Sequence, residues 1–268
     1  MIKMKFLRFL CSQPTFKIQK KLFSNPINCA SVHEGILDNQ KCIIKKKRKK
    51  YFRNEELQVL QKVKNDNDFC QLLDYYISDE EIFLFLEKYD TDLHEYLHDP
   101  SVSYLYKGEV QPNLDILEVI NYIKTISYSL IKLKKKGYYH VDIKPTNIFM
   151  KDNKVVLGDF DLSTKINNYH EPFTFGTNQF IAPEIDISHK LHENSDVYSL
   201  GVTFIALLTK TLPPPEKNKS YISPIKLLNH LKSYRGDIPK YYYDLIENML
   251  VFNPKHRYNI ESIYKLLK

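Results

Sequence analysis

The first third of the chain alternates short apolar, β-branched or aromatic runs with turn residues: FKIQKKLF at 16–23, INCASV at 27–32, KCIIKK at 41–46, YYIS at 75–78 and IFLFLEKY at 82–89. Each has the length and composition of a strand. Between the third and fourth runs, RNEELQVLQKV places Leu57, Leu60 and Val63 three residues apart, which predicts one helix. The pattern is that of a small sheet carrying a single helix.

From about Asp92 the periodicity becomes helical. In LDILEVINYIKTISYSLIKLKKKG the apolar positions Ile116, Val119, Ile120, Ile123, Ile126, Leu130 and Leu133 recur at three and four, and Gly137 follows where a C-cap glycine belongs. A buried central helix is expected. NIFM and KVVLGDF then predict two short strands joined by the turn KDN. DVYSLGVTFIALL is apolar nearly all round, as a core helix is. No internal repeat or low-complexity linker interrupts the chain. The expected organisation is therefore two lobes of one α+β domain, joined at about residues 87–92.

Composition adds limits more than content. With 268 residues, 43% apolar and 26% charged, the chain is an ordinary globular one, long enough to bury a real core. Its net charge of +7 reads as a lysine-rich surface, because no recognisable nucleic-acid module accompanies it. Cys11, Cys29, Cys42 and Cys70 show neither zinc-ligand spacing nor a disulfide framework, which fits reduced thiols in a cytosolic or nuclear protein. The apolar run YSLGVTFIALL is too short to span a bilayer. Nothing acidic precedes Glu34, which leaves an organelle-targeting start open, yet lysines interrupt MIKMKFLRFL too often for a signal-peptide core.

Phosphoryl transfer needs a cation on the nucleotide phosphates, carboxylate and amide oxygens for magnesium, and a carboxylate to orient the attacking hydroxyl. The chain carries HVDIKPTNIF from residue 140, GDF at 158–160, GTNQFIAPE at 176–184, DVYSLG from 196 and NPKHR near its end. In this order these segments resemble the catalytic loop H-R-D-x-K-P-x-N, the D-F-G segment and the A-P-E segment of the eukaryotic protein kinases. The resemblance covers residues 16–268. It implies the bilobal protein kinase fold: an extension at 1–15, a β-rich N-lobe with one helix at about 16–88, a hinge at about 87–92 and a mainly helical C-lobe at about 92–268.

Roles carry over by position, as implications of that resemblance. Asp142 is expected to orient the substrate hydroxyl and Lys144 to neutralise the moving phosphoryl group. Asn147 and Asp159 are the expected magnesium ligands. Lys45, ending C-I-I-K, matches the lysine on the α and β phosphates, with Glu56 as its ion-pair partner. Backbone groups of Glu87 and Tyr89 fall at the adenine edge, Asp92 near the ribose and Phe149 beneath the base. ATP and magnesium are the implied cofactors, a protein is the implied substrate, and a monomer with no nucleic-acid partner is expected. Asp196, the pair Glu184 and Arg257, His140 and Phe160 resemble structural positions.

The chain also departs from the family pattern. In LFSNPINCAS, Phe23, Asn25 and Asn28 stand where G-x-G-x-x-G has glycines, Pro26 removes an N–H near the tip, and Phe23 reads as bulky over the nucleotide. Nucleotide binding is then expected to lean on Lys45, magnesium and the hinge. Ile43 replaces the usual alanine above adenine. Asp161 makes D-F-D; aspartate can adopt left-handed conformations, but it adds a charge beside the metal site. These departures raise a second reading, a pseudokinase scaffold, although every residue assigned to proton, phosphate or metal handling is present.

K-P-x-N with G-T-x-x-F-x-A-P-E resembles the serine/threonine branch. Val141 occupies the place of an arginine that in many kinases receives an activation-loop phosphate. A hydrophobic residue there, followed by D-I-K-P-T-N-I-F, resembles the Wee/Myt mitosis-inhibitor kinases, which act on a cyclin-dependent kinase. Nuclear or cytoplasmic residence is expected on that reading. The run KKKRKK at 45–50 is either a nuclear-import signal or a solvated loop between strand and helix, with Lys45 turned inward.

Overall fold

A computed structural model describes residues 14–25, 30–99, 104–106, 109–111, 114–168, 176–234 and 238–267. Strands β1 (Phe16–Asn25), β2 (Ala30–Leu37) and β3 (Gln40–Arg48) precede helix α1 (Asn54–Lys62), and β4 (Leu72–Ile77) and β5 (Glu81–Glu87) follow it. These five strands form an antiparallel sheet in the order β1-β2-β3-β5-β4. Two of the expected strands differ from the apolar runs that announced them. β2 runs on through His33, Glu34 and Gly35, because an eight-residue register with β3 satisfies its backbone whatever its side chains. β3 continues to Arg48, paired with Glu81, so most of the basic run is strand and not loop.

Next come β6 (Thr91–Asp92), α2 (Leu93–His98), and a short pair, β7 (Tyr104–Tyr106) and β8 (Glu109–Gln111), that no apolar alternation announces. Helix α3 (Ile116–Lys135) is the expected central helix. Asp115 caps its first turn by accepting from the Leu117 N–H, lysines crowd its last turn, and Gly137 follows at φ +90°. Beyond it lie β9 (Tyr138–Tyr139), β10 (Ile148–Lys151), β11 (Lys154–Leu157) and β12 (Thr164–Lys165). The β10–β11 turn places Asp152 and Asn153 at φ 50° and 60°, the left-handed pair that a two-residue hairpin needs. β6 pairs with β10 and sets Asp92 opposite Phe149.

The remainder is helical: α4 (Pro183–Ser188), α5 (Ser195–Thr209), α6 (Pro224–Ser233), α7 (Lys240–Met249) and α8 (Ile260–Leu266). Every residue of α5 is buried, which explains its all-round apolar sequence. A Cβ on Gly201 would meet Met249 Cβ at 3.0 Å and Leu250 Cδ2 at 3.1 Å, so a glycine is what lets α5 approach α7. Arg257 donates two bonds to Glu184, at 2.8 and 3.0 Å, in the expected bidentate pair. Among the described residues no helix is long and apolar enough to cross a membrane.

Candidate active site

The sheet and the helical part meet over a cavity of about 490 Å³, within the ~300–1,000 Å³ common for small-molecule sites. Strand alternation aims Ile43 and Lys45 of β3 into it, while β2 adds Val32. Phe149 lines the opposite side, and Tyr89 stacks on it with ring centroids 5.7 Å apart and planes 23° apart. The Tyr89 hydroxyl donates to Glu87 Oε2 at 3.2 Å and accepts from the Gln71 N–H, also at 3.2 Å. The Glu87 N–H is taken by the Gln71 carbonyl, and the Glu87 side chain pairs with Lys151. Asp92 lines the cavity, but its Oδ1 caps α2 by accepting from the His94 and Glu95 N–H groups at 2.8 and 2.9 Å. Only its second oxygen remains for a ribose. Burial raises the Asp92 pKa against these two bonds.

At the inner end, Lys45 Nζ donates to Glu56 Oε1 at 2.6 Å and to Asp159 Oδ1 at 2.7 Å. Burial pushes the Asp159 carboxyl up, but the adjacent Lys45 ammonium outweighs it and brings the group down to about 2. Glu56 is pushed up by burial, and its Oε2 has no hydrogen-bond partner. Asp159 sits at φ 56° while Asp161 is not among the positive-φ residues. The segment takes its left-handed residue two positions earlier, so replacing glycine by aspartate at 161 imposes no backbone strain. The charge of Asp161 is met by Lys47, whose Nζ lies 2.5 Å from Asp161 Oδ1.

Asp142 is buried and over-determined. Its Oδ2 accepts from Lys144 at 2.7 Å and from Asn147 Nδ2 at 2.9 Å, and its Oδ1 accepts from the Thr177 hydroxyl at 2.7 Å. Lys144 also donates to that hydroxyl at 2.5 Å. His140 is spent structurally: Nε2 donates to the Gly158 carbonyl at 2.9 Å and Nδ1 accepts from the Asp142 N–H at 3.3 Å. Its ring packs edge-on against Phe160, which is fully buried. Asp196 accepts from the His140 and Val141 N–H groups at 2.8 and 2.7 Å. That clamp holds Val141 at φ 75°, a conformation costly for a β-branched residue.

Eight of the expected site residues, Lys45, Glu56, Glu87, Tyr89, Asp92, Asn147, Phe149 and Asp159, line one cavity. Asp142 and Lys144 do not line it and are joined to it through Asn147, and the roof brings corrections. Leu22, not Phe23, lines the cavity, and the Phe23 ring is 58% exposed. Pro26 and Asn28 lie outside the described residues, as do Cys11, Cys29 and residues 1–13 of the extension. Two contributors were missed. Lys47 shares the inward face of β3 with Lys45 at a spacing of two, a signal the sequence carried. Thr177 lay inside a quoted motif, but only the tertiary fold brings its hydroxyl to Asp142.

The sequence profile of the protein kinase domain family matches residues 23–266. The chain belongs to the protein kinase family. It is 33% identical over 156 residues to mitogen-activated protein kinase kinase kinase 8 of Rattus norvegicus, an alignment covering 55% of this chain and 33% of that protein. A serine/threonine-protein kinase of Acanthamoeba polyphaga mimivirus is 34% identical over 159 residues, covering 58% of this chain and 55% of that one. The chain thus spans about a third and about half of these relatives. The solved structure of the Cydia pomonella granulovirus kinase PK-1 superposes with a TM-score of 0.75 at 21% identity, covering 94% of both chains. The fold is the protein kinase fold, a β-sheet lobe and a helical lobe. Family membership implies ATP and typically magnesium. The donors fit that requirement: the Asp159 carboxylate and Asn147 carboxamide oxygen are hard ligands on the same cavity, and Asn147 uses Nδ2 for both of its side-chain bonds to Asp142.

Proposed function

We propose that this kinase is catalytically active and transfers the γ-phosphate of ATP to a hydroxyl of a protein substrate. The observation that carries this reading is the Thr177 hydroxyl held between Asp142 and Lys144, at 2.7 and 2.5 Å. A carboxylate that accepts and an ammonium that donates are the two contacts an attacking hydroxyl requires there. In this proposal Asp142 orients the acceptor proton and Lys144 offsets charge on the transferring group. Lys45, fixed by Glu56, grips the phosphates, while Asn147 and Asp159 hold magnesium. Bound ATP and magnesium supply the phosphoryl group and the neutralising charge. Glu87, Tyr89, Asp92 and Phe149 seat the nucleoside.

Within that class we further propose a Wee/Myt-like mitosis inhibitor acting on a cyclin-dependent kinase, resident in the nucleus or cytoplasm. Val141 and the run D-I-K-P-T-N-I-F support it; the relatives above carry other kinase names. Purified protein is incubated with γ-labelled ATP, magnesium and a cyclin-dependent kinase, and the product sites are mapped by mass spectrometry. Phosphotyrosine or phosphothreonine in the glycine loop of that substrate is the expected product. Serine products elsewhere overturn the finer proposal only. No incorporation into any substrate, together with no ATP-dependent thermal shift, overturns the active-enzyme reading in favour of a scaffold.

A further inference from the structure

The segment 158–161 is tied to β3 by two ion pairs arranged as rungs. Lys45 and Lys47 lie on one face of β3, about 7 Å apart along the strand. They meet residues with the same spacing of two: Lys45 holds Asp159 at 2.7 Å, and Lys47 holds Asp161 at 2.5 Å. The second rung is shielded, with Lys47 4% exposed, a rare placement for a lysine without a charge partner. Arg53, at the start of α1, adds a bond from Nη1 to the Asp161 carbonyl at 3.4 Å. Glu56 of the same helix completes the first rung.

The charges explain why Lys47 and Asp161 belong together. Three carboxylates, Glu56, Asp159 and Asp161, face Lys45 and Lys47. Without Lys47 the extra carboxylate at 161 would stand unpaired two residues from Asp159. Without Asp161 a buried ammonium would lack its counter-charge, a costly arrangement. With both present, the segment gains an anchor that a glycine at 161 cannot offer. Val141 meanwhile can receive no activation-segment phosphate.

We propose that Lys47 is a positioning residue for phosphoryl transfer: through Asp161 it holds the 158–161 segment with Asp159 facing the cavity, using a fixed ion pair in place of a phosphate on the activation segment. The proposal rests on the reading of the site as an active kinase. It concerns the Mg²⁺ requirement and not the chemical step, since Lys47 pairs with Asp161, two residues from the proposed ligand Asp159.

The test compares wild type with Lys47→Met and with the double variant Lys47→Met/Asp161→Gly. In Lys47→Met the Mg²⁺ concentration for half-maximal activity rises about tenfold, and the double variant, which lacks the same anchor, loses no more than the single one, as coupled neighbours do. Recovery in the double variant would show that an unpaired carboxylate, and not the lost anchor, causes the rise, and would overturn the proposal. A merely structural lysine would lower the melting temperature and leave the Mg²⁺ requirement unmoved; that result overturns the proposal. Amide hydrogen exchange on the nucleotide-free proteins provides a second readout. Residues 159–165 exchange about tenfold faster in Lys47→Met. Equal protection in both proteins overturns the proposal even if the wild type has no kinase activity, whereas an inactive wild type with the faster exchange overturns only the function proposed above. Phosphatase treatment leaves wild-type activity within about twofold; its loss shows that a phosphate, and not the Lys47 rung, sets the segment.

Discussion

The inner wall of the cavity and its roof are built to different standards. At the wall the two central groups are each held from more than one side: Asp142 by Lys144, Asn147 and Thr177, and Lys45 by Glu56 and Asp159. At the roof, among the described residues, β1 pairs only with β2, Leu22 and Phe23 are 46% and 58% exposed, and the strand carries two register shifts. The two regions carry opposite kinds of departure from the family pattern. At the wall Asp161 is answered by Lys47, so the substitution keeps the site's charges paired. At the roof Phe23 replaces glycine, and its exposed ring does not line the cavity. The difference teaches that groups handling charge are fixed by their partners, whereas a cover built from backbone can drift in sequence.

The largest effect that tests this contrast is at Asp142. Asp142→Asn keeps the shape and the contacts with Lys144 and Thr177 only in part, and removes the proton-accepting carboxylate. Phosphate incorporation falls by about 10²–10⁴-fold, the usual contribution of a general base. Initial rates at saturating ATP measure it. A loss below tenfold would place the chemistry elsewhere.

A smaller effect concerns the Lys45–Asp159 pair. The Asp159 carboxyl titrates at about 2 in the folded chain, below its ordinary value of 3.8. A depressed carboxylate contributes stability that is complete above the ordinary value and is lost as pH falls through the folded one. Asp159→Asn therefore melts below wild type by a constant margin above about pH 5, and the margin narrows between about pH 4 and 2. Thermal melts of the nucleotide-free proteins across that range check the sign. A margin that widens toward acid would mean that burial, not Lys45, dominates at Asp159.

The wall was legible in the sequence and the roof was not, for a physical reason. Asp142, Lys144, Asn147 and Asp159 lie in short segments whose residue types the chemistry dictates, so their spacing survives in one dimension. Glu56 was readable only as the ion-pair partner that the family resemblance assigns to Lys45. The length of β2 was not, since polar His33 and Glu34 interrupt the apolar alternation while the β3 ladder carries the strand through them. The register shift between Lys21 and Phe23 was not legible either, since no residue type announces it. Lys47 was hidden differently: inside KKKRKK it looked solvated, although alternation from Lys45 gave it the same inward face.

The smallest expected effect tests the roof directly. If the Phe23 ring covered the nucleotide, Phe23→Gly would restore the family residue and tighten ATP binding. Because the exposed ring does not line the cavity, the substitution instead leaves the KM for ATP within about twofold and costs about 0.5–1 kcal/mol of stability, the conformational penalty of glycine in a strand. Leu22→Ala is the sharper control, because Leu22 lines the cavity and its truncation raises the KM for ATP more than Phe23→Gly does. Steady-state kinetics in ATP and urea denaturation separate the two quantities. A tenfold tighter KM in Phe23→Gly would break the contrast, since it would make the roof, and not the anchoring of Lys45 and Asp159, the element that limits nucleotide binding.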